Sequence, residues 1–185
     1  MKRRALLAAL TLVLARPATA QPAPAVGPPP ELAADLPGAR LQGSGNLRVM
    51  LMRIYDARLW VGGAAVVTDW ATLPLALELQ YSRELKGELI AERSLTEMRR
   101  QGEIDAVTAE RWLGVMKALF PDVKAGDRIT GVNLPAVGAR FFLNGAFRGE
   151  VREADFARVF FGIWLSPRTS EPALRLALLG RSASP

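Results

Sequence analysis

The chain has 185 residues, 50% of them hydrophobic and 23% charged, which places it with globular proteins able to bury one core and outside the disordered class. It has no cysteine and no histidine, which excludes disulfides, thiolate chemistry, the usual zinc sites and any Ser-His-Asp or Cys-His pair. The formal charge of +6 is concentrated at the start: taking Lys2, Arg3, Arg4 and Arg16 from the 24 basic residues leaves 20 against 18 acidic ones, a mixed surface without a nucleic-acid footprint.

Residues 1–20 have the pattern of a secretory signal. Lys2-Arg3-Arg4 is the charged start, residues 5–15 are an apolar segment too short to span a bilayer, and Ala18-Thr19-Ala20 is a small-residue cleavage site. Cleavage after Ala20 predicts an exported protein, most simply a periplasmic one. Residues 21–37 carry Pro22, Pro24, Pro28, Pro29, Pro30 and Pro37, a composition that predicts an extended, poorly packed linker. The folded domain is expected over residues 38–180, followed by a loose tail at 181–185.

Arg40-Leu41-Gln42 reads as a short first strand, and Gly43-Ser44-Gly45 as a turn feeding a long strand that runs to Val61. That run is rich in Val, Leu, Met, Ile, Tyr and Trp, yet it carries Arg48, Arg53, Asp56 and Arg58. Charge inside a buried run must be paired or used. Successive side chains point to opposite faces, and neither parity is clean, so both faces are partly covered or a bulge switches parity midway. Arg53 and Tyr55 share one parity and Arg48 has the other, so at most one arginine serves a site on a given face. The charges either hold a ligand or form ion pairs at the sheet rim.

Gly62-Gly63 breaks the pattern. Residues 75–83 then alternate strictly, with Leu75, Leu77, Leu79 and Tyr81 on one face and Glu78, Gln80 and Ser82 on the other. Pairing with the preceding strand would put Tyr55 and Tyr81 in one sheet. Residues 88–100 read as a helix with an Ala91, Leu95, Met98 stripe, its Arg93–Glu97 and Glu97–Arg100 pairs on the exposed side. Gly102 ends it and Asp105 caps a second helix over 106–120, whose Ala109, Trp112, Leu113, Met116 and Leu119 face a core. Strands follow at 128–134 and 139–143, then the Asn144-Gly145 hairpin signal and a return strand at 146–151. A third helix over 152–165 is apolar around most of its circumference. A fourth starts near Pro172 and stops before Gly180.

Strands, two helices, strands, two helices is an α+β order: an antiparallel β-sheet covered on one face by a layer of helices. Several stretches also resemble the bacterial chalcone isomerase-like proteins. They are the Gly43-x-Gly45 turn leading to Tyr55-Asp56-Ala57-x-Leu59-Trp60, Tyr81-Ser82-Arg83-Glu84-Leu85-x-Gly87, and Ile90-Ala91-Glu92-Arg93-Ser94-x-x-Glu97-Met98. Phe120-Pro121-x-Val123-x-x-Gly126-Asp127 and Phe160-Phe161-Gly162-Ile163-Trp164-Leu165-Ser166-Pro167 complete the set, which covers nearly all of residues 38–180.

The resemblance implies an open-faced β-sandwich with a ligand cleft between sheet and helices. In the family's plant enzymes, an arginine after the Gly-x-Gly turn and a tyrosine on the first long helix act on chalcones. In its fatty-acid-binding members, an arginine and a tyrosine hold a carboxylate. Carried onto this chain, the turn arginine falls nearest Arg48, one residue late. The helix tyrosine falls on Ile90 and a nearby asparagine on Glu97. With the catalytic phenol unmatched, no catalytic residue is assigned. The expected function is an exported non-catalytic binding protein for a fatty acid or similar amphiphile, held by Arg48 or Arg53 with Tyr55, Tyr81 and Glu97. No cofactor and no metal is expected, and a transient membrane contact is compatible with such a role. Two alternatives stand beside this reading. One is an isomerase or lyase on a hydrophobic substrate, with Glu97 and Tyr81 as acid–base groups. The other is an envelope protein-interaction module, which would show an exposed apolar patch.

Overall fold

A computed structural model of the chain describes residues 27–66 and 68–181. The expected signal segment and its cleavage site, the first part of the linker and residues 182–185 lie outside the described residues. Six strands form one antiparallel sheet in sequence order: β1 (Arg40–Val49), β2 (Met52–Val61), β3 (Leu75–Tyr81), β4 (Arg128–Leu134), β5 (Gly138–Leu143) and β6 (Ala146–Val151). Helices α1 (Gly87–Arg99) and α2 (Ala106–Leu119) lie between β3 and β4, and α3 (Ala154–Leu165) and α4 (Pro172–Leu178) follow β6. The α+β order is as expected.

The long strand is not one strand. It is an antiparallel hairpin, β1 and β2, folded at Met50-Leu51, with Val49 opposite Met52 and Tyr55 opposite Leu47. Gly43 and Gly45, expected to form a turn, lie inside β1, where they let α4 approach. A Cβ on Gly43 would stand 2.2 Å from the Ala177 carbonyl oxygen, and one on Gly45 would meet Leu174 at 2.7 Å. Both central residues of the Met50-Leu51 loop have positive φ, 49° and 68°. That is the geometry of a type I′ turn, which favours Asn or Gly. At a bulky side chain it costs about 1 kcal/mol or more per residue. The β5–β6 hairpin has positive φ at its own two central residues, Asn144 at 51° and Gly145 at 88°, with the residues such a turn prefers.

The parity conflict in this hairpin resolves through pairing. Tyr55, Ala57, Leu59 and Val61 face the helices and join the main core with α3's aromatic residues. Arg58 and Trp60 point to the other face and converge on Glu78, at 2.8 Å and 2.7 Å. Register shifts in the β1–β2 pairing, which leave Gln42 of β1 and Ile54 of β2 without an opposite residue, supply the irregularity the pattern required. Arg48 sits opposite Arg53, so the expectation of opposite faces does not hold across this turn.

The second face is covered as well, by part of the segment expected to be a linker. Leu32 (in a short 3₁₀ turn, Pro30–Leu32) and Leu36 are fully buried against Trp60, Ala76 and Val132. Burying two leucines contributes roughly 3–6 kcal/mol, enough to hold a short segment in place. Its carboxylates pair with the sheet: Glu31 with Arg128 at 2.8 Å and Asp35 with Arg140 at 2.6 Å. Proline content predicted extension; the leucines at 32 and 36 are what dock it.

Gly43→Ala is expected to lower stability by about 2–3 kcal/mol or more, because backbone oxygens of α4 cannot step aside. Gly63→Ala, where nothing among the described residues lies within 4 Å of a Cβ, is the matched control and should stay within about 0.5 kcal/mol of wild type. Urea denaturation of the two variants checks this.

Candidate functional site

The sheet and the helical layer part between the β1–β2 hairpin, the end of β3, α1 and α3. The space left is a cleft of about 460 Å³. Its size and apolar walls, including Leu47, Leu79, Ile129, Phe160 and Ile163, are typical of small-molecule sites. The polar groups are few: the phenols of Tyr55 and Tyr81, the guanidinium groups of Arg83 and Arg93, and Ser94, Glu97, Ser170 and Glu171.

The register between β2 and β3 sets Tyr55 directly opposite Tyr81, so both rings project to the same face. The rings meet edge to face with centroids 5.9 Å apart. The Trp164 indole of α3 donates to the Tyr55 hydroxyl at 3.0 Å, tying the helical layer to the sheet at the cleft wall. Burial pushes the ionisation of both phenols well above the ordinary tyrosine range. For Tyr55, burial outweighs the opposing effect of the Trp164 hydrogen bond, and the Glu171 and Glu97 charges add to it. For Tyr81, burial acts together with the neighbouring Tyr55. Both are neutral hydroxyls throughout the physiological range.

On α1, Ile90, Ser94 and Glu97 recur at i, i+4 and i+7 and form the cleft wall beside the Ala91, Leu95, Met98 core stripe. The expected Arg93–Glu97 and Glu97–Arg100 pairs are present, at 2.6 Å and 3.6 Å, but not on a solvated face: the Glu97 side chain is 8% exposed. Glu97 Oε2 is buried without a hydrogen-bond partner among the described residues. Arg93 stays at the rim with its head tied to Glu97, and Ser94 donates to the Ile90 carbonyl at 2.8 Å. The cleft therefore meets Ile90 where the resemblance implied a tyrosine.

Of the expected site residues, Tyr55, Tyr81 and Glu97 come together in the cleft. Arg48 and Arg53 are not among its lining residues. Arg48 donates to the Asn46 side chain at 3.2 Å, and Arg53 pairs with Asp56. The guanidinium at the cleft is instead Arg83, just past β3, which lies 3.2 Å from the Met52 sulfur and has no acidic partner among the described residues. Parity carried that signal: Arg83 is two residues after Tyr81. Trp164, four residues after Phe160 on α3, shows the same kind of signal.

The family model for chalcone isomerase-like proteins matches residues 29–180. A protein of Haemophilus influenzae, described only as uncharacterized, is 32% identical over 111 residues, 60% of this chain and 54% of that protein. The match thus spans about half the length of that curated relative. The crystal structure of a fatty-acid-binding protein of Arabidopsis thaliana superposes with a TM-score of 0.60, covering 77% of this chain and 87% of that one. At 12% identity this is a likeness of fold.

Because their ionisation is raised in the folded state, both phenols contribute stability that is present below pH 10, where unfolded tyrosine is still protonated, and lost as pH rises above it. The chain has only two tyrosines, so an alkaline titration reads them without interference. Tyrosinate absorbance should appear together with loss of near-ultraviolet circular dichroism, in one transition above pH 10. Tyr55→Phe, which leaves the buried Trp164 donor without its acceptor, should cost about 1–3 kcal/mol in urea denaturation.

Proposed function

The chain belongs to the chalcone isomerase-like family, and we propose that within it this protein is a non-catalytic binder of a fatty acid or similar amphiphile with a carboxylate head and an apolar tail. The observation that carries the reading is the cleft itself: apolar walls, a guanidinium without an acidic partner among the described residues, and two phenols held neutral by burial. A neutral phenol donates a hydrogen bond to a carboxylate but is a poor proton acceptor at ordinary pH. The wall position that would carry a catalytic hydroxyl is Ile90. The fatty-acid-binding function of the Arabidopsis structure supports the same ligand class.

Arg83 is the proposed carboxylate anchor, because a guanidinium can engage a carboxylate bidentately. Arg93 also lines the cleft, but its head is committed to Glu97. Tyr81 is the proposed second donor; its hydroxyl has no hydrogen-bond partner among the described residues. The periplasmic location is part of the proposal and rests on the Lys2-Arg3-Arg4 start and the Ala18-Thr19-Ala20 site alone.

Lipid extraction and mass spectrometry of the purified chain should return a bound fatty acid or related amphiphile, and titration with palmitate should saturate at one site. Arg83→Ala should weaken that affinity about tenfold or more, the loss of one charge-assisted hydrogen bond. Arg48→Ala and Arg53→Ala should stay within about twofold, since neither side chain lines the cleft. No bound lipid together with no saturable binding overturns the proposal.

A further inference from the structure

The β1–β2 hairpin tip is exposed and apolar. Met50 and Leu51 are 87% and 93% exposed, Val49 and Met52 about half, and Leu89 of α1 58%. Val49, Met52 and Leu89 also line the cleft, so the exposed apolar surface runs without a break from the tip over the rim into the ligand space. The type I′ turn at the tip is made with two residues ill suited to it, while the Asn144-Gly145 turn shows that the same chain uses the favoured chemistry elsewhere. Water alone rewards neither the strain nor the exposure.

The tip is ringed by positive charge. Arg48 faces Arg53 across the two strands, a like-charge pairing that is unfavourable unless an anion sits near it. Arg53 is offset by Asp56, whereas Arg48 and Arg83 have no acidic partner among the described residues. Apolar side chains projecting beyond a collar of arginines match a bilayer with an anionic surface, the apolar part entering the acyl boundary and the guanidinium groups meeting phosphates.

We propose that the Met50-Leu51 tip docks this protein on an anionic lipid surface and sets the cleft mouth against it, so that an amphiphile passes between bilayer and cleft without crossing water. The proposal rests on the cleft being an amphiphile site and adds the surface that loads or empties it.

The test uses the full chain and the variant Met50→Asn/Leu51→Gly, which installs the turn residues of the other hairpin and touches no cleft residue. Association is measured by co-sedimentation with phosphatidylglycerol–phosphatidylethanolamine vesicles and with phosphatidylcholine vesicles. Transfer of a fluorescent fatty acid is timed from donor vesicles, and affinity for the same probe is measured free in solution. The wild type should bind the anionic vesicles more strongly, and salt at about 1 M should weaken this as charges are screened. The variant should lose vesicle association and transfer rate by about tenfold or more while keeping its affinity for the free probe. Arg48→Glu should weaken binding to anionic vesicles but not to phosphatidylcholine.

Equal vesicle association and transfer by variant and wild type overturn the proposal. A wild type that binds the free probe but neither vesicle overturns it too, and leaves the proposed function standing. Tip-dependent self-association without vesicle binding assigns the tip to a second copy of the chain and likewise overturns it. Tip-dependent docking by a chain that takes up no probe supports the docking surface and overturns the proposed function.

Discussion

The pairing of Tyr55 with Tyr81 across β2 and β3, closed by the Trp164 indole, is the constraint on which the cleft depends. It places two hydroxyls in an apolar space and ties α3 to the sheet beside them. A slip of one residue by either strand would turn its tyrosine to the opposite face, where Glu78 takes its hydrogen bonds, and would separate the two rings. The register is held by what lies on each side of it. Leu59 and Leu77 meet on the helix face, while Arg58 and Glu78 pair on the other. Polar and apolar partners thus enforce the same alignment, and the two phenols inherit their positions from it.

The two faces of the sheet divide the chemistry between them. Charged residues of the strands gather on the second face: Arg58 with Glu78, Arg128 with Glu31, and Arg140 with Asp35 and Glu150. Two of these partners come from the segment before β1, which also brings Leu32 and Leu36 to cover Trp60. The Glu78 and Glu31 carboxylates are nearly fully buried, so losing Arg58 or Arg128 would strand a charge away from water, while the more exposed Arg140 pairs add little. The segment is therefore part of the domain's electrostatic balance, and its carboxylates keep the arginines of β4 and β5 occupied on their own side. The helix face is left apolar apart from the few groups around the cleft.

The strand alternation at 75–83, the helical stripes and the Asn144-Gly145 turn were all legible in the sequence, because each is a local pattern with a local physical cause. So was the meeting of Tyr55 and Tyr81, which follows from pairing two recognisable strands. The hairpin at Met50-Leu51 was not legible: nothing in Val-Met-Leu-Met signals a turn, and two true glycines nearby offered a false one. Gly43 and Gly45 are small because α4 lies against them, a long-range reason that no local pattern carries. The same error displaced the arginines. Taking Gly43-Ser44-Gly45 as the turn made Arg48 a candidate through the resemblance, and treating residues 47–61 as one strand made Arg53 another, whereas the parity of Tyr81 and Arg83 pointed into the cleft. Glu97 was placed in the site only through the family resemblance, since helical charge pairs are ordinarily solvated.

The turn that hid the hairpin from the sequence is also where the molecule departs furthest from what stability alone would select. A core glycine such as Gly43 and a turn such as Asn144-Gly145 satisfy local and tertiary demands together. Met50-Leu51 satisfies neither: its backbone sits where glycine and asparagine are at ease, and its side chains make little contact with the rest of the chain. With 87% and 93% of their surface exposed, Met50 and Leu51 are not core residues, and the strands beside them meet through the Val49–Met52 pair. Conflict between local preference and structure concentrates at sites that serve something outside the fold. Here the conflict lies at the rim of the cleft, on the side where the helices leave it open.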